Sequence, residues 1–91
     1  MDRIVKSNGT EIECQPDARN SYTLQRLQEI VGGYIEFVYS ANSEVMVVNE
    51  EGMLLGLPIN AKATEWFRQN ATGYNKGFIY GDVLITTNDK I

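Results

Sequence analysis

The chain has 91 residues, a formal net charge of −4, one cysteine and no histidine. This length fits a single domain, the lone cysteine excludes an internal disulfide, and the lack of histidine removes the commonest general base and metal ligand. The acidic balance disfavours direct binding to nucleic acid or to an anionic membrane. With no apolar run of signal-peptide or membrane-span length, we expect a soluble cytoplasmic protein without a cofactor.

The chain opens with a predicted β-hairpin. Residues 3–7 and 11–15 flank Asn8-Gly9, a pair that tolerates the positive φ angles of a type I′ turn. In the second arm, Ile12 and Cys14 alternate with polar residues, which predicts one buried face and makes Cys14 a core residue.

A helix is predicted after the polar loop at 16–21. Thr23 is suited to the N-cap, and apolar residues recur with helical spacing over 24–31. Gly32-Gly33 then ends the helix, because glycine accepts the left-handed conformation found just past helix ends.

The middle of the chain predicts an antiparallel meander. Residues 34–40 and 45–49 are rich in β-branched and aromatic residues, and a four-residue loop joins them. A tight turn over 49–52 leads into a third predicted strand at 53–55. Glu36 has a polar position in the first of these strands, so it faces either solvent or a ligand.

The last third predicts a loop, a helix and a strand. Asn60 is a good N-cap for a helix over 61–69, in which Trp66 and Phe67 belong to the core. A polar loop over 70–77 precedes a last strand over 78–87, broken or bulged at Gly81-Asp82. The fold class is therefore α+β, a mostly antiparallel sheet of about five to six strands with two helices, in the order β-β-α-β-β-β-α-β.

Four motifs in this order resemble a family of small domains of unknown function found in phages, plasmids and conjugative elements. They are GGYIE at 32–36, VVNEEG at 47–52, GLPIN at 56–60 and IYGDVL at 79–84. The resemblance spans almost the whole chain and implies a mobile-element setting, but it supplies no catalytic residues.

The first functional hypothesis is a non-enzymatic anti-defence protein that sequesters a small nucleotide-type immune signal between the protomers of a homo-oligomer. The amino end of the second helix, with Lys62 or Arg68, would meet phosphate, and Tyr34 or Tyr80 would stack on a base. The candidate ligand-binding residues are Tyr34, Glu36, Asn49, Gly56, Asn60, Lys62, Arg68, Tyr80 and Asp82.

Two alternatives stay open. The domain could be an acidic inhibitor that covers a basic surface of a host or defence protein. It could instead be a small hydrolase that uses Glu36, Glu50 or Asp82 as acid and base, although no nucleophile motif or metal cluster accompanies them.

Overall fold

A computed structural model, which describes residues 1–73 and 75–91, has a five-stranded antiparallel sheet with one helix on each face. Tyr74, part of the loop predicted over 70–77, lies outside the described residues. The strands lie in the order β2-β1-β5-β4-β3. In chain order the elements are β1 (Arg3–Val5), β2 (Glu11–Glu13), α1 (Leu24–Val31), β3 (Ile35–Tyr39), β4 (Glu44–Asn49), α2 (Ala61–Asn70) and β5 (Val83–Thr87), with short 3-10 turns at Ala18–Asn20 and Asn88–Lys90. The α+β class is confirmed.

The central strands β4 and β5 are buried on both faces. Met46 and Ile85 pack on the α2 side of the sheet, whereas Val47 and Leu84 pack on the α1 side. Successive side chains of a strand point to opposite faces, so a strand covered by a helix on each side needs a continuous apolar run. That run is what the sequence provides over 45–48.

Helix α1 has the predicted bounds and the predicted caps. The Thr23 hydroxyl accepts a hydrogen bond from the Arg26 N–H at 3.1 Å. Gly32 follows the helix with a φ of +79°, a left-handed conformation that favours glycine. Leu27 and Val31 are buried against the sheet.

Asn60 fixes the position of α2 on the opposite face. Its side chain is buried, and its Oδ1 accepts a hydrogen bond from the Ala63 N–H at 3.0 Å as the predicted N-cap. Its Nδ2 donates to the carbonyls of Val5 and Gly81, both at 2.9 Å. One amide therefore joins α2 to β1 and to the turn before β5.

The third strand of the predicted meander is absent from the described residues, and residues 53–55 form a turn. The Gly52 N–H donates to the Asn49 carbonyl at 3.2 Å, and the Leu55 N–H donates to the Glu51 carbonyl at 2.9 Å. These local bonds satisfy the backbone within the turn, so the apolar run is left exposed rather than paired in the sheet. The last strand likewise begins at Val83 instead of residue 78.

The opening hairpin forms with a different turn from the predicted type I′. Gly9 has a φ of +93° but Asn8 does not have a positive φ, and the Gly9 N–H donates to the Lys6 carbonyl at 2.9 Å. This is a type I turn followed by a left-handed glycine. Strand β2 is exposed throughout, including Ile12, so the predicted buried face is wrong, and Cys14 is half-buried beside the α1 side of the core.

A buried carboxylate ties together both ends of the described chain. Asp2 is 3% exposed and accepts hydrogen bonds from the Tyr22 hydroxyl at 2.7 Å and from Lys90 Nζ at 3.2 Å. Burial acts to raise the pKa of Asp2, but the hydrogen bonds to its charged form, together with the positive charge of Lys90, lower the pKa below its ordinary value.

We expect Asn60→Ala to lower the free energy of unfolding by about 3 kcal/mol, because it removes a helix cap and leaves two buried carbonyls without their donor. Urea denaturation monitored by circular dichroism measures the change. Thr23→Ala, which removes only the exposed cap of α1, is the matched control and should cost about 1 kcal/mol. Equal losses in the two variants would contradict the bridging role of Asn60.

We expect Asp2→Asn to reduce the acid sensitivity of folding. A carboxylate whose pKa is lowered in the folded state contributes stability above its unfolded pKa of 3.8, and loses that contribution as the pH falls through the lower folded value. Free energies of unfolding at about pH 5.5 and about pH 2.5 should therefore differ less in the variant than in the wild type. A variant that loses as much stability as the wild type would refute this assignment.

Candidate functional site

A groove of about 500 Å³ opens beside the edge strand β3, on the side of the sheet that carries α2. Glu36 is paired with Val48, and Val38 with Met46. Because Met46 and Val48 face α2 and cross-strand partners share a face, Glu36 and Val38 project on the same side and form one wall of the groove.

The other walls are mostly apolar and aromatic. Phe67 comes from α2, Met53 from the turn after β4, and Phe78 and Tyr80 from the segment that precedes β5. Phe78 and Met53 are more than half exposed, at 52% and 66%. A ligand in the groove would therefore remove apolar surface from water.

Gly52 lets the turn after β4 approach Tyr80 closely. A Cβ added at Gly52 would lie 3.0 Å from the Tyr80 carbonyl oxygen and 3.1 Å from the Tyr80 Cβ. Both residues line the groove, so this contact sets the distance between two of its walls.

Asn49 lines the groove but its side chain serves the fold. Its Nδ2 donates to the Val31 carbonyl at 3.1 Å, and its Oδ1 accepts from the Glu51 N–H at 2.8 Å. The side chain thus joins the end of α1 to the turn after β4, and its polar atoms already have partners.

The charged groups of the groove are carboxylates. Among the described residues that line it, Glu36 and Glu50 are charged, both are exposed, and neither lysine nor arginine is present. This arrangement favours a cationic or neutral polar ligand group and disfavours phosphate.

The two predicted phosphate-binding cations lie elsewhere on α2. Lys62 Nζ forms an exposed ion pair with Glu11 at 3.0 Å. The Arg68 guanidinium donates to the Gly77 carbonyl at 2.9 and 3.2 Å and lies 4.8 Å from the centre of the Phe78 ring. Neither cation lines the groove.

Four further predicted site residues do not line the groove either. Asn60 uses its side chain as the cap and bridge described above. Asp82 Oδ1 accepts a hydrogen bond from the Ser7 N–H at 2.9 Å, which holds the turn of the first hairpin. Gly56 has a φ of +70° in an exposed turn, and Tyr34 is 65% exposed just before β3. Three of the nine predicted residues therefore meet in the groove, namely Glu36, Asn49 and Tyr80.

The acid and base residues predicted for a hydrolase are not all brought together. Glu36 and Glu50 line the groove, whereas Asp82 does not. The described residues contain no group of three or more His, Cys, Asp or Glu side chains that could hold a metal ion. In the same part of the chain, neither helix has the length and apolar character needed to span a membrane.

Sequence reasoning missed Phe67, Phe78 and Met53 as walls of the groove. Phe67 was predicted to be a core residue, which is partly right because it also packs against the α2 side of the core. Met53 and Phe78 were placed in strands, and no periodicity distinguishes an apolar strand residue from an exposed one in a turn.

The chain belongs to a family defined by a domain of unknown function (DUF3846), whose model matches residues 1–90. No curated protein and no solved structure is significantly similar to it. The family match agrees with the resemblance to small domains of unknown function and covers nearly the whole chain. It assigns no activity, ligand or partner.

We expect Gly52→Ala to lower the free energy of unfolding by about 1–3 kcal/mol, because the added methyl group meets backbone and Cβ atoms of Tyr80. Urea denaturation measures the loss, and amide chemical shifts of the groove residues show whether the turn has moved. Glu51→Ala, an exposed change in the same turn, is the control and should change stability by less than about 0.5 kcal/mol. Wild-type stability with unchanged groove shifts in Gly52→Ala would contradict the close contact.

Proposed function

We propose that this member of the DUF3846 family is a non-enzymatic binding module that holds a segment of a partner protein in the groove beside β3. The observation that supports it most directly is a groove with apolar and aromatic walls whose charged groups, Glu36 and Glu50, are both carboxylates. Its volume, about 500 Å³, is within the range of about 300–1,000 Å³ typical of ligand sites.

Charge favours a protein segment over a phosphorylated ligand. Glu36 and Glu50 would repel phosphate, and no cation among the described lining residues offsets them. The net charge of −4 adds a long-range attraction for basic partners. A peptide segment can combine a basic side chain with apolar neighbours, which matches both properties of the groove.

An exposed apolar turn beside the groove would extend the contact surface. Met53, Leu54 and Leu55 are consecutive and are 66%, 81% and 57% exposed. Met53 also lines the groove. Contiguous exposed apolar residues of this kind mark protein interaction sites, because covering them removes apolar surface from water.

The nucleotide hypothesis has less support from the geometry. Lys62 is paired with Glu11, and Arg68 is bound to the Gly77 carbonyl outside the groove. A second copy of the chain would have to bring a cation over the groove before phosphate could be held there. Nucleotide sequestration stays a prediction, and it is one arm of the experiment below.

The biological setting of the proposal comes from the sequence resemblance to domains of phages and mobile elements. In that setting the partner would be a host or defence protein, and covering its basic surface would block its function. This is the acidic-inhibitor hypothesis with the interacting surface assigned to the groove beside β3.

The proposal predicts that the protein selects peptides from a random library. A displayed library of dodecapeptides is panned on the immobilised wild type and on Val38→Trp, which fills the groove from β3. Enriched peptides should bind the wild type at least about tenfold more tightly than Val38→Trp, because the indole occupies the space of the ligand side chains.

Ile12→Trp is the matched control, since it places the same ring on the opposite edge strand and should bind as the wild type does. Circular dichroism checks that both variants fold, and chemical-shift changes in the labelled wild type locate the bound peptide independently of any variant. Native mass spectrometry with a pool of cyclic and ADP-ribose-type nucleotides is run in parallel. Retention of a nucleotide without enrichment of any peptide, or peptides that bind Val38→Trp as well as the wild type, would overturn the proposal.

A further inference from the structure

We infer that the occupant of the groove is an extended peptide segment that adds to the sheet as a sixth strand beside β3 and carries a lysine or arginine facing Glu36. This inference rests on the proposed function and specifies the conformation and chemistry of the ligand.

The outer edge of β3 has backbone groups available for another strand. The Glu50 N–H donates to the Tyr34 carbonyl at 2.8 Å, and the Ser40 N–H donates to the Glu44 carbonyl at 3.2 Å. Residues 34, 36, 38 and 40 therefore point their backbone groups toward β4, and residues 35, 37 and 39 point theirs outward.

One outward-facing backbone group of β3 already has a hydrogen-bond partner, and its position agrees with this alternation. The Thr72 N–H, from the segment after α2, donates to the Tyr39 carbonyl at 3.0 Å. Ile35 and Phe37 have no such partner among the described residues. Their N–H and C=O groups form a short row that an added strand can pair with.

The opposite edge of the sheet is protected in a way that β3 is not. Strand β2 has three residues, and two of them, Glu11 and Glu13, are charged. Glu11 also forms ion pairs with Arg3 and Lys62. Short length and charge are the usual means of blocking an edge, whereas β3 has five residues with Glu36 as its single charge.

The groove lies where alternate side chains of an added strand would project. Neighbouring strands are about 4.8 Å apart and share their pleat, so every second residue of the ligand would face the α2 side beside Glu36 and Val38. Those residues would enter the groove between β3, Phe67 and Phe78. The remaining residues would lie beside Ile35 and Phe37, which pack on the α1 side.

The charges define the chemistry of the ligand. A residue opposite Glu36, near Glu50, gains from being lysine or arginine, since opposite charges in a cross-strand pair attract. A residue opposite Val38 gains from being apolar. The preferred ligand therefore alternates, with apolar residues toward α1 and one basic plus one apolar residue toward the groove.

A second copy of β3 fits this edge poorly. Thr72 occupies the Tyr39 carbonyl, so Ile35 and Phe37, which have no outward partner in the described part of the chain, are the residues left for a symmetric antiparallel pairing. Pairing Ile35 with Phe37 of a second copy places the two Glu36 side chains directly opposite each other. Like charges in that position are destabilising, which favours a different chain as the partner.

The test uses the capped heptapeptide Thr-Val-Leu-Val-Lys-Val-Thr, its counterpart with glutamate in place of lysine, and backbone N-methylated versions of the first. N-methylation of the alternate residues whose N–H groups face β3 should weaken binding at least about tenfold by removing strand hydrogen bonds. N-methylation of the residues whose N–H groups face away from β3 should change the affinity less than about twofold. Isothermal titration calorimetry gives the affinities.

The preference for a basic residue opposite Glu36 is tested by reversing the charge in the peptide and in the protein. The wild type should bind the lysine peptide roughly fivefold more tightly than the glutamate peptide, and Glu36→Lys should reverse that order. Glu29→Lys, an exposed change of the same charge on α1, should keep the wild-type order.

The outcomes separate this inference from the proposed function. Library peptides that are lost in Val38→Trp but show neither alternating N-methyl sensitivity nor a charge preference would overturn the strand model and leave the proposed function standing. Absence of any groove-dependent peptide would overturn both. A dimer by sedimentation velocity that disappears in Val38→Trp would identify a second copy as the occupant and overturn the inference.

Discussion

The structure depends on the hydrogen bonds of one buried amide, that of Asn60. Its oxygen caps α2, and its nitrogen bonds to the carbonyls of Val5 in β1 and Gly81 before β5. Each of these groups is buried away from water and would be costly without a partner. The second helix, an inner strand and the approach to the last strand therefore share one fixed point, and neighbouring bonds from Ile79 to Thr64 and from Asn60 to Ile79 reinforce it.

The position of α2 determines that a groove exists at all. The helix is anchored at its amino end over β1 and β5, and Phe67 is the part of it that reaches the groove beside β3. Among the described residues of the segment after α2, Thr72 bonds to Tyr39 at the end of β3 and Ala71 pairs with Ser40 just beyond it. The α2 side of β3 between these contacts is left to Glu36 and Val38, with the turn after β4 and the segment before β5 as the far walls.

The elements with one clear local signal could be predicted from the sequence, and those in which strand composition competes with turn bonds could not. Thr23, Asn60 and Gly32 mark helix ends through bonds to nearby residues, and the predicted helices are confirmed with their ends within one residue. Residues 53–55 have strand composition, but the turn bonds that begin at Asn49 remove them from the sheet, and composition alone cannot show that competition.

The residues of the candidate site also divide into those that could be predicted from the sequence and those that could not. Glu36 could be predicted as a polar position in the strand predicted at 34–40, and Asn49 and Tyr80 as members of the VVNEEG and IYGDVL motifs. Lys62 and Arg68 were predicted as alternative partners for a phosphate, and six helical residues correspond to about 600° of rotation, which places them on different sides of α2. That separation was available from the sequence, whereas the contribution of Met53 and Phe78 was not. Met53 lies in the turn that replaced the predicted third strand, and Phe78 lies in the segment before β5 that was predicted to be part of the last strand.

The outer edge of β3 can pair with another chain, which is a risk of aggregation and also a possible means of recognition. An apolar edge strand with free backbone groups invites pairing with other chains, and β2 shows how this sheet blocks such pairing with charge and short length. At β3 the chain uses Thr72 to close one end and a single carboxylate in the middle, which opposes a second copy of itself more strongly than it opposes a basic partner. An edge that disfavours a second copy and accepts a complementary segment is the arrangement expected of a strand used for recognition. The features that would otherwise count against the stability of a small sheet thus agree with the binding surface proposed at β3.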